Sequence, residues 1–440
     1  MRAVVDGQLN LAGTTLANPG GIALNGDGLT VGQNLLCREL VAEGQVLLRN
    51  AHIRGQLVLN DASLRNPNGS ALHANRLTVD KDLLCNGRFS AVGEVNLLAA
   101  QIGGQFDLNG SLENPNGLVL NGNGLNVGRS MHCHTSFRAR GEVNLVNAKV
   151  GGEVALAGAA VNPGGTALKA DGLLAEQHMF CRVGLRIDGV VILTAASVKG
   201  TFLFAADIAN GMSIDLQGAK IGTLLLYPST APSDINLSHA RLDVLGDDPL
   251  TWPARIHLRG CTYGALNERH PVGARQRLDW LGRDPEGYSP QPYEQLIGIY
   301  RLAGREPDAR KVGIGKQRAR RRTLPFYSKP WSYGLDALVA YGYRTGQAGL
   351  WLLAFVLVGW KTFDLAYPCY LIPSKPAAER PSFHALLYTL DLLLPIGDLN
   401  YQNSWIPQDW ARWCWLAWIL AGWVLTIAVL AALSGILKRD

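Results

Sequence analysis

A block of 48 residues recurs along the first half of the chain, and this period constrains the fold more than any other feature. The clearest copy begins at Val79, reads V-D-K-D-L-L-C, passes Gly93 and reaches Asn114-Pro115-Asn116-Gly117. Other copies begin at Val31, Val127 and, more worn, Ala175. Cys37, Cys85, Cys133 and Cys181 follow one another at 48 residues. An Asn-Pro turn recurs at Asn18-Pro19, Asn66-Pro67, Asn114-Pro115 and Asn162-Pro163; after Asn210 the proline gives way to Gly211. A period held over this length is the mark of a stacked-repeat architecture.

The block is itself double. Leu48, Ile53 and Leu59 have counterparts 24 residues on, at Leu72, Leu77 and Leu83. Leu97, Ile102 and Leu108 return 23 residues on, at Leu120, Leu125 and Met131. Alternation within each coil argues strands of about three to five residues. The Gly, Asn and Asp between them argue tight turns with positive φ, and at this density they disfavour helix. One such strand group cannot bury its own apolar face, but a stack can. The expectation is an all-β β-helix, a solenoid of about 24 residues per coil over residues 1–245. Leu, Ile, Val and Ala form its inward ladders. A β-sandwich would not hold so strict a period.

At 440 residues the chain has room for two or three domains. Charged residues make up only 17%, low for a wholly soluble protein. The net charge of +6 is unevenly spread: Arg310, Lys311, Lys316, Arg318, Arg320, Arg321 and Arg322 crowd into 13 residues. Seven cysteines without a C-x-x-C pair form no zinc or redox motif. The repeated cysteines stand two coils apart, beyond the roughly 7 Å that a disulfide allows between Cα atoms, so they are expected to be reduced. The start, M-R-A-V-V-D-G-Q, lacks the apolar core of a secretory signal, and the repeat region is expected not to be exported.

The period changes from Pro271. Tyr293, Leu296, Ile297 and Tyr300 fall on one helix face. Gly304 is a stop, and Pro307 opens a second helix that carries the basic cluster to residue 322. Residues 246–333 therefore read as a linker and a basic, tetratricopeptide-like helical hairpin, a small α-helical segment. Residues 334–440 read as a membrane domain with transmembrane helices near 347–363 and 413–437. Lys361 snorkels at the end of the first. Trp410, Trp413, Trp415 and Trp418 read as an interfacial aromatic belt, and Ala431 with Gly435 as a small-residue contact for another helix. Residues 383–396, with Asp391 in the middle and Pro395 near the end, are too short to span and read as a re-entrant or interfacial segment.

Positive charge sets the orientation. The seven-residue cluster precedes the first span and Lys438-Arg439 close the chain, whereas the connecting loop holds only Lys375 and Arg380. The positive-inside rule places both termini and the solenoid in the cytoplasm, on a protein integral to the cytoplasmic membrane. The seven basic residues are assigned to the membrane surface, where anionic lipid contributes about 1 kcal/mol for each at most. The expected partners are the bilayer, anionic lipid at the inner face, a second copy through the last span, and a protein of unidentified kind. Nucleic acid is not among them.

The C-terminal half carries a resemblance. Tyr288-Ser289-Pro290-Gln291-Pro292-Tyr293-Glu294-Gln295-Leu296, Tyr341-Gly342-Tyr343-Arg344, Leu390-Asp391-Leu392-Leu393-Leu394-Pro395 and Gly422-Trp423 resemble an actinobacterial family of membrane-anchored repeat proteins often labelled membrane-associated oxidoreductases. The solenoid is loosely similar to bactofilins and to pentapeptide-repeat proteins, without the five-residue period of the latter. The motifs are structural in character and carry over no catalytic residue.

The oxidoreductase label implies a nicotinamide or flavin site, yet no G-x-G-x-x-G joins a strand to a helix. Gly313-Ile314-Gly315-Lys316 lacks the first glycine and the Ser/Thr of a phosphate loop. His132-Cys133-His134 resembles a metal site. In a strand, however, the histidines face one way and the cysteine the other, and the other copies hold Leu36 and Arg38, or Leu84 and Asn86, at those places. The sequence thus favours a buried cysteine ladder with incidental histidines, and assigns no catalytic, cofactor-binding or metal-ligating residue. Two spans around a short apolar segment also resemble a pore, although Leu394-Pro395 stands where a filter would lie. The leading reading is a membrane-tethered solenoid serving as a scaffold or binding surface. A channel regulated by the solenoid is told apart by ion flux in liposomes, and an oxidoreductase by a bound coloured or nucleotide cofactor.

Overall fold

The computed structural model of the chain describes residues 3–209, 211–342, 345–374, 376, 381–394 and 399–433. It divides into two units, Met1–Gly304 and Arg305–Asp440.

The first unit is a parallel β-solenoid. One rung runs through Val4, Thr30, His52, Thr78, Gln101, Asn126, Lys149, Leu174, Ser197, Lys220, Arg241 and Thr262. That makes about 11 turns of roughly 23 residues. At one rung per roughly 4.8 Å, the stack is about 50 Å long. Two residues before each rung from Thr30 onward the chain turns through left-handed backbone, at Gly28, Asn50, Arg76, Ala99, Gly124 and their successors. Beyond Leu245 the strands continue: Asp234–Asn236 pairs with Arg255–His257, and Arg241–Asp247 with Thr262–Glu268, all in parallel.

Register corrects the sequence alignment. Val46 pairs with Leu72, Ile53 with Val79 and Leu57 with Leu83, so each counterpart read from the sequence is displaced by two residues. A shift of two keeps every side chain on the inward face, and Leu48, Ile53, Leu59, Leu72, Leu77 and Leu83 are all buried. The cause is that coils alternate in length: Thr30 to His52 is 22 residues and His52 to Thr78 is 26, which together give the 48-residue period.

The longer coils carry the Asn-Pro turns. Residues 18–21 stand against the single Gly44, since Ala17 pairs with Glu43 and Ile22 with Gln45. Each turn is closed by its own asparagine, whose Nδ2 donates to the carbonyl of Ile22, Ser70, Leu118 or Thr166. A glycine of the next coil lies beneath. A Cβ on Gly93, at φ 112°, would stand 2.3 Å from the Asn66 carbonyl oxygen.

A second 48-residue series was not evident from the sequence. Asn34, Asp82, Ser130 and His178 each accept a backbone N–H from the next coil, those of Gln56, Gln105, Glu153 and Thr201. The residue types differ while the acceptor function persists, so similarity alone conceals it. The cysteines form an inward column with a leucine between successive members, as in Cys85–Leu108–Cys133 and Leu156–Cys181. All four are free and buried. Burial pushes the thiols of Cys37, Cys133 and Cys181 up to about 12, and that of Cys85 higher still.

Two helices belong to the solenoid unit, α1 (Ala274–Leu281) and α2 (Pro290–Leu302). Arg277 of α1 is fully buried. It grips Asp247 at 2.5 and 2.7 Å, reaches Glu268 at 3.4 Å and lies between the rings of Trp252 and Trp280. From α2, Gln291 accepts the N–H of Gly260 and donates to the Cys261 carbonyl, while Gln295 donates to the Tyr263 carbonyl. These amides satisfy backbone groups that an edge strand would leave open. Helix α2 thus serves as a cap on the last coils of its own unit.

The second unit contains α3 (Glu306–Thr323), α4 (Lys329–Val339), α5 (Thr345–Ala366), α6 (Ala385–Leu393) and α7 (Asp409–Leu433). With seven α-helices among the described residues, the helical part is larger than the small segment expected. Helices α5, α6 and α7 enclose a core of Phe363, Tyr388, Leu392, Trp405 and Ala411. Gly359 lets Trp418 and Thr389 approach, and Gly422 does the same for the backbone of Leu393. An antiparallel pair, Leu371–Pro373 with Trp405–Pro407, ties the loop ends together. Ala431 lies within α7, whereas Gly435, Lys438 and Arg439 lie outside the described residues, as do Lys375, Arg380 and 395–398.

Two outcomes are predicted. Gly93→Ala lowers the stability of the solenoid by at least about 2 kcal/mol, whereas Gly164→Ala, at positive φ but with open space around it, costs only about 1 kcal/mol. Thermal unfolding of the two variants separates collision from backbone strain; equal losses would discount the Asn66 contact. The second concerns the cysteines. Because the thiolate is the reactive form, the four column thiols resist alkylation at about pH 8 in the native state and react fully on denaturation without reductant. Mass spectrometry reads both states, and any disulfide among them contradicts the column.

Candidate functional site

Helix α3 sorts its charges along its dipole. Glu306 and Asp308 occupy the first turn and Arg320, Arg321 and Arg322 the last, the arrangement that complements partial charges at helix ends. Arg310 pairs with Glu306 at 3.4 Å and Lys311 with Asp308 at 3.0 Å. Partial burial pushes the Asp308 carboxyl up, but hydrogen bonds from Lys311 and Arg305 outweigh it and hold the group below its ordinary value.

The seven basic residues therefore do not form one uniform surface. Lys316 is buried. Arg318 and Arg321 both turn to Asp336 of α4, at 3.0 and 3.2 Å. The Arg321 guanidinium also lies 3.9 Å from the Tyr333 ring centroid. The Asp336 hydrogen bond raises the pKa of Arg318 further above its ordinary value. Arg320 and Arg322 are exposed and make no ion pair among the described residues. Spacing in the sequence located the cluster, but not Asp336, which lies beyond a proline break.

Helices α5 and α7 turn apolar side chains outward. Leu350 is 69% exposed and Trp413 74%, and Leu353, Leu357, Val358, Leu365, Leu420, Trp423 and Ile427 are exposed with them. Both helices are long and apolar enough to cross a membrane, in the windows Gly349–Ala366 and Asp409–Ile427. The expected tryptophan belt divides. Trp410 and Trp413 are exposed, whereas Trp415 and Trp418 pack on the core and Trp418 donates to the Phe355 carbonyl at 3.1 Å. Asp391 of α6 is buried. Its carboxylate accepts backbone N–H groups of Leu399, Tyr401 and Gln402 at 2.7 to 3.0 Å, which makes it a loop anchor.

His132 and His134 point outward while Cys133 points in, as alternation requires. What the sequence did not reveal is their company. His132 is in register with Asp107 of the preceding coil, and its Nδ1 lies 3.2 Å from Asp107 Oδ1. Its Nε2 lies 3.1 Å from Glu153 Oε1 of the following coil. His134 Nε2 stands 4.0 Å from Asp107 Oδ1. These groups interrupt a register column that runs from Asn10 through the apolar Leu36, Val58, Leu84, Ala155, Phe180 and Leu203. Counting back one coil from His132 reaches Asp107, and Glu153 lies 21 residues on, two before the in-register Ala155.

Comparison with models of known families, with curated proteins and with solved structures finds no match to this chain. The resemblance to the actinobacterial family accordingly stands on its quoted residues alone.

We predict that Asp336→Asn destabilises the α3–α4 contact by about 1–3 kcal/mol, because Arg321, largely buried, loses its counter-charge. Arg320→Gln leaves stability within about 0.5 kcal/mol. Chemical denaturation of the full chain in detergent measures both, and equal effects would show that Asp336 is not the organising group.

Proposed function

We propose that this chain is an integral membrane protein that carries its β-solenoid on the cytoplasmic side as a scaffold or binding surface. The observation that supports it most is the outward apolar surface of α5 and α7. A core helix of a soluble protein buries such side chains, and soluble monomers rarely leave so much contiguous apolar area in water. Each helix also has the length of a bilayer crossing. Gly359 and Gly422 supply the close helix contacts that packing in lipid favours.

Positive charge before α5 supports a cytoplasmic origin for the first span. Arg320 and Arg322, free of ion pairs among the described residues, are the members of the basic cluster best placed to meet anionic lipid. A binding role for the solenoid rests on its regular outer surface, which stacked repeats offer to partners. The column of Leu36, Leu84, Phe180 and Leu203 lies in part at that surface.

Reporter fusions test the arrangement. Fusions at residues 1 and 440 should both report the cytoplasm, and one after residue 380 the opposite side. Terminal fusions that report opposite sides would remove α5 as a span. Membranes washed with alkaline carbonate should retain the protein until detergent is added; release by carbonate alone would refute membrane integration.

A further inference from the structure

We propose that Asp107, His132 and His134 form a binding site for a divalent first-row transition metal, zinc being the best fit, with Glu153 orienting His132. One donor atom from each of the three residues lies within 4.8 Å of the others. Zinc bonds of about 2.0–2.2 Å in a tetrahedron place ligand atoms about 3.4 Å apart. Asp107 Oδ1 stands 3.2 Å from His132 Nδ1 and 4.0 Å from His134 Nε2, on either side of that value. His134 is half exposed, so a small side-chain rotation closes the longer distance.

The donor set selects the metal class. Two imidazoles with one carboxylate suit zinc, copper, iron or nickel, whereas calcium and magnesium prefer oxygen donors alone. The ion takes the place of the proton shared between Asp107 and His132. Glu153 then matters for a second reason. A histidine that binds metal through one nitrogen usually donates its other N–H to a carboxylate, which fixes the ring and its tautomer. His132 has that arrangement already, with Nε2 3.1 Å from Glu153 Oε1. Three adjacent coils supply the residues, so the parallel ladder holds the backbone of the site rigid. Three protein ligands leave a fourth position open to water or to a donor from another molecule. This site does not depend on the membrane reading, since every residue lies in the solenoid unit.

The test uses the full chain in detergent, purified on an affinity tag free of histidine and stripped with a chelator. Titration with zinc should saturate at one ion per chain and raise the solenoid's melting temperature, while magnesium and calcium do neither. His132→Ala and His134→Ala should each weaken zinc binding by more than about 100-fold, and Glu153→Gln by about 10- to 100-fold. His134 is a solvent-facing side chain, so His134→Ala should keep the metal-free melting temperature and lose only the zinc-induced rise. Absence of saturable zinc binding, or binding that survives both histidine variants, overturns the site. Unchanged affinity in Glu153→Gln overturns the orienting role of Glu153.

Discussion

Backbone hydrogen bonds between successive coils are the interaction on which the rest of the solenoid depends. No coil has enough apolar surface to fold alone, so burial of the inner ladders follows only when the next rung is in register. The side-chain devices serve that register. Asn66 closes a turn whose carbonyl sits over Gly93, and Asn34, Asp82, Ser130 and His178 each catch the N–H of the following coil. Where the ladder stops, Gln291 and Gln295 of α2 supply backbone partners. The Arg277–Asp247 pair shows the principle at its most demanding, because a buried guanidinium is tolerable only with its charge and its planar faces both engaged.

The C-terminal unit reverses this pattern of polarity. In the solenoid, Leu, Ile and Val face inward and ion pairs such as Arg49–Asp27 and Lys199–Glu176 face water. In α5 and α7, aliphatic side chains face outward, while polar groups of α6 and α7 are held in the unit's interior. Asp391 spends its carboxylate on three backbone N–H groups, and the Trp418 indole donates to a helix carbonyl. Unpaired polar groups are costly in hydrocarbon, and Asp391, Thr389 and Trp418 all have internal partners.

The basic cluster illustrates how charge counting misleads. Seven cations in sequence suggest a single electrostatic surface, yet the fold assigns them separate tasks. Arg310 and Lys311 pair within their own helix, Lys316 is buried, and Arg318 with Arg321 clasps Asp336. Only the remaining two keep their charge free for another surface among the described residues.

By itself the sequence determined the solenoid, the inward cysteine column and the two long apolar helices. Each is written in a local pattern: a period, an alternation or an uninterrupted run. Tertiary structure decided what depends on distance across coils or between helices. The register moved by two residues because unequal corners set it, not similarity. Helix α2 closed the last coil with two glutamine amides. The imidazoles of His132 and His134 were visible, but Asp107 and Glu153 were not, since each lies on a different coil from the histidines. A side chain's partner one rung away is more than 20 residues distant in sequence, and only the length of the intervening corners brings the two into contact.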